Sequence, residues 1–468
     1  YGIDAPGEIG PERWPMYLPF TVQINLSATG ATNEWTRTYQ DRFGRDYKSV
    51  YPDSTPDDLS DNPARQTWFN TKGQVWKERD ADGVVLLYGY NAKGERDYAA
   101  LDLNRNDAID FGGTDRITWT TNDVTTYSGV NVRRTRTIVY ANNNSTAILT
   151  NAMTQTAVSG LKSWQTSYRD SATAVTTVTE STYGTNGTRT VTVTAPDGSS
   201  VVSVYSYGRP QSVTHKDSGG AQVAQTSYQY DNHGRPWKVT DARNGTTLTT
   251  YNEADQALTV TAPPLGTGEP AQVTRTFYDS QGRVTGTQLP DGATRTNLLA
   301  PTGLVLLTQG GRSYPVAYAY DAQGRLQTMT TWKDFTGNAG AATNQWAYDE
   351  QGRLRAKNYP DPVSGAVVAG SGPVYTNSPA GRLQTRDWKR GVRTTYAYNA
   401  AGALASVTYS DGTPGVVYTY DRRGRLATVA RNGITTALTY NDANQPMTET
   451  HGGGTLALLS MKWAYDTS

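Results

Sequence analysis

YDNHGR at Tyr230–Arg235, YDSQGR at Tyr278–Arg283, YDAQGR at Tyr320–Arg325, YDEQGR at Tyr348–Arg353 and YDRRGR at Tyr420–Arg425 are five copies of one phrase, Tyr-Asp-x-x-Gly-Arg. Weaker copies fill the gaps: YNEADQ from Tyr251, YNAAGA from Tyr398 and YNDANQ from Tyr440. The residues singled out are Tyr230, Asp231, Gly234 and Arg235; Tyr278, Asp279, Gly282 and Arg283; Tyr320, Asp321, Gly324 and Arg325; Tyr348, Asp349, Gly352 and Arg353; and Tyr420, Asp421, Gly424 and Arg425. A phrase recurring at a fixed period builds one extended object from one small unit. The Tyr230-to-Tyr251 step is 21 residues and the Tyr420-to-Tyr440 step is 20, so the base period is about 21. Longer steps hide degenerate copies at Pro301–Leu304 and Ser378–Leu383.

A unit of about 21 residues is too short for a helix pair and fits two strands with two turns. Asp or Asn opening a turn, with Gly three positions later, is the signature of a type I turn that exits through a positive φ. Such turns join antiparallel strands as bulged hairpins. The flanks are rich in Thr, Val and Tyr, as in Thr188–Thr194 and Thr247–Tyr251, and suit a pleated surface. No window carries a helical stripe. The expectation is an all-β array of antiparallel β-hairpins. Recurrent Tyr and Arg are placed to stack from unit to unit, Arg across a neighbouring ring; a Tyr strip that binds a sugar is the sharper alternative to this packing role.

The chain has 468 residues, 43 basic and 42 acidic side chains and a net charge of +1, which gives no basic stripe for nucleic acid. Hydrophobic residues make up only 36%, but 31 Tyr and 11 Trp speak against disorder. Tyr outnumbers Phe 31 to 6, so the interior must offer partners to many hydroxyls and is expected to be partly wet. With no cysteine, disulfides, Cys metal sites and Cys nucleophiles are excluded. No apolar run reaches the roughly 20 residues of a membrane-spanning helix. Ten to fifteen units of two strands make a sheet about 100–150 Å wide. Open sheets of that width curl under their own strand twist.

Three regions are distinguished: residues 1–20, a Pro- and Gly-rich cap; 21–204, where the repeat is blurred; and 205–468, the regular array. In the second region Tyr39–Arg45 reads as a variant with one inserted residue.

One local cluster suggests a ligand. Asp102, Asn104, Asn106 and Asp110 alternate like the first positions of a calcium loop. Gly stands at 113 where an EF-hand needs Glu, so the candidates are a non-EF calcium loop of structural role or an Asx-rich turn satisfied by its own backbone. His215, His233 and His451 are scattered, and no triad, zinc site or catalytic carboxylate pair is singled out. No enzyme activity is expected.

The repeated phrase resembles the YD repeats of the Rhs/YD-repeat superfamily, strongly over about 205–466 and patchily over 36–200. The superfamily includes bacterial Rhs polymorphic toxins, cocoon subunits of toxin complexes and the teneurins. The resemblance implies a β-ribbon spiralling into a shell or barrel that encloses a C-terminal toxin or other cargo. It implies a bacterial, secreted or cell-surface protein, of which this chain is one piece and the rest of its own larger polypeptide a partner. The alternative use is a surface adhesin or interaction scaffold that meets a cell-surface protein or glycan; an enzyme built on the shell has no supporting residue. The closing segment of the toxins, with its catalytic Asp residues, does not occur before Ser468, so cargo and processing cannot be read from these residues.

Overall fold

The computed structural model describes residues 2–4, 18–26, 32–52, 62–170, 173–266, 268–457 and 459–465. These form one 37-stranded sheet, from Gly2–Asp4 to Ser460–Lys462, and a single 3-10 turn at Gly454–Leu456. Each strand pairs antiparallel with its predecessor and its successor in the sequence. The all-β hairpin array expected from the phrase is thus the observed architecture, as one uninterrupted meander. It is longer than the ten to fifteen units anticipated, because every blurred stretch between 32 and 206 also contributes strands.

The residues explain the meander locally. Strands such as Gly245–Tyr251 and Ala257–Ala262 are six or seven residues long. The pairing slips by one residue at the Tyr of each unit, between Gln229 and Tyr230 and again between Thr419 and Tyr420. That bulge strengthens the local twist. Cross-strand Thr pairs flank the turns, with hydroxyls 2.6 Å apart at Thr250 and Thr259 and 2.7 Å apart at Thr419 and Thr428.

Two starting expectations change. Strands occur within the supposed cap, at Gly2–Asp4 and from Leu18; the remainder of that segment lies outside the described residues. No residue is inserted at Tyr39–Arg45. Asp41 opens the turn and pairs with Arg45, Gly44 has φ 74°, and Gln40 simply stands where other units have Tyr.

The core is sparse, as a single-layer sheet with two wet faces must be. Among the described residues, a buried apolar cluster joins Val85, Leu87, Ala100, Ile117 and Tyr140, with Trp76, Tyr98 and Ile109 against it. It lies where the 103–115 insertion folds over the sheet, and Phe111 meets Tyr98 and Tyr140 there. Elsewhere most strand residues are half-buried.

The ribbon has two rims. One carries the Tyr-Asp-x-x-Gly-Arg turns; the other carries the alternate turns, including 80–84, 103–115 and 141–147. Contacts between residues about 300 positions apart show the ribbon returning on itself. The turn after Val75–Arg79 meets the turn after Val374–Asn377, 23 strands later in the order. At about 4.8 Å per strand, one circuit is about 110 Å around and about 35 Å across.

The turn ladder and the seam as candidate functional site

Each Asp-containing turn is tied in the same way. In Tyr230–Arg235, Asp231 N donates to Arg235 O at 3.0 Å and Gly234 N to Asp231 O at 2.9 Å. Asp231 Oδ1 accepts the amides of His233 and Arg235 at 3.0 and 2.9 Å, while Oδ2 accepts Arg235 Nε at 2.7 Å. The same bonds recur at Asp279 with Arg283, Asp321 with Arg325, Asp349 with Arg353 and Asp421 with Arg425. Burial raises the Asp231 carboxyl, but Arg235 and the two amides outweigh it and hold the group below the usual carboxylate range.

Where Asn replaces Asp, the partner changes with it. Asn70, Asn252 and Asn441 donate through Nδ2 to Gln74, Gln256 and Gln445 at 2.8–2.9 Å, and Asn91 to Glu95 at 2.9 Å. A guanidinium can only donate, so it needs a carboxylate; an amide can meet another amide. This covariation within the chain was present in the sequence and was missed there. The Gly has φ between 75° and 84° in the five full copies. Asp255 (φ 62°) and Asn444 (φ 67°) replace it, side chains that tolerate that region.

The turns are linked into a ladder by their other ends. The Tyr hydroxyl of one unit donates to the carbonyl just past the previous Arg position: Tyr251 to Pro236 O at 2.8 Å, Tyr348 to Leu326 O at 2.8 Å, Tyr440 to Leu426 O at 2.9 Å. In return Arg Nη1 donates forward to the opening residue of the next turn: Arg235 to Asn252 O at 3.2 Å, Arg353 to Ser378 O at 2.6 Å, Arg425 to Asn441 O at 2.9 Å. Arg235 lies over the Tyr251 ring at 4.5 Å, Arg325 over Tyr348 at 4.4 Å and Arg425 over Tyr440 at 4.9 Å. The hydroxyls that a greasy core would have orphaned are thereby satisfied.

The variable positions of the phrase also have a task. The motif-bearing rim of the second circuit seats on the opposite rim of the first, and the contacts come from the x-x residues and their neighbours. Gln323 donates to Leu26 O, and Gln351 to Pro52 O at 3.0 Å. Arg325 meets Glu34. Ser378 Oγ and the Ala380 amide donate to Asp82 at 2.6 and 3.0 Å, and Arg382 reaches both Asp80 and Asp82. Asp442 N donates to Arg169 O at 2.8 Å. The densest joint is Arg422, 2% exposed, whose guanidinium donates to five carbonyls: Asp115, Asn142, Ser145, Asp110 and Phe111, at 2.6–3.1 Å. Burial pulls the Arg422 pKa down, and Asp115 partly restores it.

The candidate calcium residues fall in the insertion capped by Arg422. Asp102 is 1% exposed and accepts the amides of Asn106 and Asp107 at 3.3 and 2.9 Å. Asn106 Nδ2 donates to Asp110 Oδ2 at 2.9 Å, and Asn104 Nδ2 donates to the same oxygen. Asp115 stands near the end of this loop but out of register for an EF-hand ligand. It is fully buried and takes the amides of Leu103 and Asp110 at 2.9 and 3.0 Å. Burial, with Asp102 and Asp110 nearby, raises its pKa. Among the described residues no three His, Cys, Asp or Glu side chains are grouped to hold a metal. His233 faces Asp255 at 3.6 Å, and His451 lies 3.3 Å from Glu449.

Residues 303–452 match the family described as Teneurin YD-shell. The fold is similar to the crystal structure of TcdB2-TccC3-TEV, with a TM-score of 0.65 and 14% identity over 95% of this chain and 25% of that one. It is also similar to a Photorhabdus luminescens Tc holotoxin pore carrying a mutation in TccC3, at TM-score 0.64 and 13% identity over 92% of this chain and 24% of that one. A third is TcdB2-TccC3 without hypervariable C-terminal region, at TM-score 0.60 and 13% identity over 89% and 23%. The chain thus spans about a quarter of the length of these structures. No curated protein sequence matches it.

Proposed function

We propose, from the match of residues 303–452 to the Teneurin YD-shell family and the similarity of the fold to the TccC3-containing structures, that the chain is a Rhs/YD-repeat protein and a section of wall in a secreted or cell-surface container that encloses a toxin or other cargo. The observation that carries this reading is the seam. A ribbon that comes back on itself after about 300 residues and bonds rim to rim is a continuous curved wall, not an open strip. The sheet is one layer thick and wet on both faces, so it can screen an interior volume without filling it. Support for cargo comes from the similar TcdB2-TccC3 structure, described as being without its hypervariable C-terminal region, which makes such a region the part set apart from the fold shared with this chain. A variable segment behind a common wall is how one container serves many contents. The rest of the polypeptide is then the chief partner, and the wall's role is physical enclosure.

The test is peptide mapping of the native polypeptide past Ser468, combined with electron microscopy of the particle. A non-repetitive domain held inside a hollow wall supports enclosure. Repeats leading to an anchor, with aromatic strips displayed outward and no contents, would replace it with the adhesive reading.

A further inference from the structure

At Ala403 the ladder lacks the arginine of a rung, with a side chain too short to reach the next turn as Leu304 and Gln256 do. In YNAAGA the turn forms normally, with Asn399 N donating to Ala403 O at 2.9 Å and Ala403 N to Asn399 Oδ1 at 3.0 Å. Position 403, however, is Ala where full copies carry Arg. An Arg at that position ordinarily lies over the Tyr and over the Gly of the next unit: Arg325 over Tyr348 and Gly352, Arg382 over Gly402. The next unit here is Tyr420–Arg425, and Ala403 leaves both its ring and its glycine uncovered from within the second circuit.

The place is nonetheless filled. Arg116, from the first circuit, lies over the Tyr420 ring at 5.7 Å. Its Nη1 stands 3.3 Å from where a Cβ on Gly424 would be. Asp421 is the carboxylate that faces it. We infer that Arg116 is a surrogate for the arginine missing at Ala403, a positioning residue that completes the ladder across the seam and fixes which first-circuit strand the turn Tyr420–Arg425 can sit on. The ring contact, at 5.7 Å, is longer than the 4.4–4.9 Å of Arg235, Arg325 and Arg425 and matches the 5.8 Å of Arg209 over Tyr230, so Arg116 falls within the range of the rungs made inside one circuit.

The exchange runs in both directions at this point. Arg116 crosses to the second circuit, while Arg422, two residues after Tyr420, crosses back into the insertion that precedes Arg116. An Arg at 403 would complete the rung from within the second circuit, and the rung would then add nothing to the register that Arg422 already favours. Ala403 makes the rung available only at the register that brings Arg116 to it. This specificity rests on the wall reading for its purpose, but its test reads pairwise coupling inside this chain.

The experiment is a double-mutant cycle on this chain with Arg116→Ala, Ala403→Arg and both together, read by thermal melting and by hydrogen exchange of the 420–445 amides. Arg116→Ala is expected to lower the melting temperature by about 2–4 °C and to speed exchange in that turn at least tenfold, effects of the size that the loss of one cation–π and packing contact brings in a large domain. Ala403→Arg in the Arg116→Ala background is expected to restore most of the protection, whereas in the wild-type background it has two guanidiniums competing for one ring and gains nothing. Arg116→Lys, which keeps the charge without the planar group, keeps the fold but only part of the protection. Additive effects, or failure of Ala403→Arg to rescue a folded Arg116→Ala protein, would overturn the surrogate role while leaving the wall untouched. A chain that holds no continuous wall in microscopy yet shows the rescue would overturn the wall alone.

Discussion

Arg382 reaches back 302 positions to place Nη2 2.7 Å from Asp80 Oδ2, and the same guanidinium grips Asp82 two residues on. The two aspartates lie on one rim of the ribbon and Arg382 on the other, so this contact exists only because the ribbon has completed a circuit. It is shielded: Asp82 is 17% and Arg382 23% exposed at the side chain.

That joint is acid-sensitive. Burial raises the Asp82 pKa, but bonds from Ser378, the Ala380 amide and Arg382 outweigh it and hold the carboxyl below its ordinary value of 3.8. A depressed carboxyl stabilises the fold above its unfolded pKa, and the contribution fades as pH falls through the lower, folded value. The wild-type seam is therefore expected to be intact at neutral pH and to loosen below about pH 4. In Asp82→Asn, part of that loosening is already present at pH 7. Hydrogen exchange of the 378–382 amides across pH 3–7 checks both.

Arg422→Ala is expected to be the most damaging single change on the seam. It strips the shared donor from five carbonyls and leaves a cavity under the insertion, at a cost of about 3–5 kcal/mol. Denaturant titration measures it, and Arg423→Ala, which loses contacts with Asn151 and Asp442 only, should cost less.

Asp321→Ala takes the acceptor from two backbone amides, of Gln323 and Arg325, and the support from the Arg325 guanidinium, which meets Glu34 across the seam. About 2 kcal/mol is expected to be lost. Asp321→Asn with Arg325→Gln, copying the neutral pair at Asn252 and Gln256, should recover the turn but not the Glu34 contact. A thermal melt of the three proteins separates the two losses.

Alkaline titration has its own marker. Burial first, then a 2.6 Å bond from its hydroxyl to Glu78, pushes the Tyr88 pKa up to about 12. A raised pKa means stability fully present below about pH 10 and lost as pH rises through the folded value. In Glu78→Gln the tyrosinate absorbance of one residue should appear at lower pH.

For the 102–115 insertion, the amides already bonded to Asp102 and Asp115 lead us to expect that EDTA leaves the melting temperature unchanged. A fall of several degrees, reversed by calcium, would assign a structural ion to Asp102, Asn104, Asn106 and Asp110.

The turn was legible in the sequence because its causes are local. Asp231, Gly234 and Arg235 stand within five residues of one another, and hydrogen-bond geometry dictates what such a set can do. The ladder was half legible: the recurrence of Tyr and Arg signalled stacking and the turn signature signalled the bulge, but the reciprocal Tyr-to-carbonyl and Arg-to-carbonyl bonds join backbone groups one unit apart, and a carbonyl has no residue signature. The seam was illegible. Gln323, Gln351 and Arg422 occupy the variable places of the phrase, and their partners stand roughly 300 residues away, a distance set by how many strands the twist needs to close a circuit. Asp115 stands near the calcium-loop pattern but out of its register, and its actual work is to bind two amides of the insertion.

The strictly sequential pairing of the strands has a mechanical consequence. Among the described residues, no strand lies between two others that come later in the chain, so the pairing order itself ties no knot. A pulling machine that grips either end meets one hairpin at a time, its backbone bonds broken in series, with a larger step wherever a rim-to-rim joint such as Arg422 must be released. A force trace should therefore be a low sawtooth with a few tall teeth, and a protein so built can be paid out like thread from a reel without first coming apart as a whole.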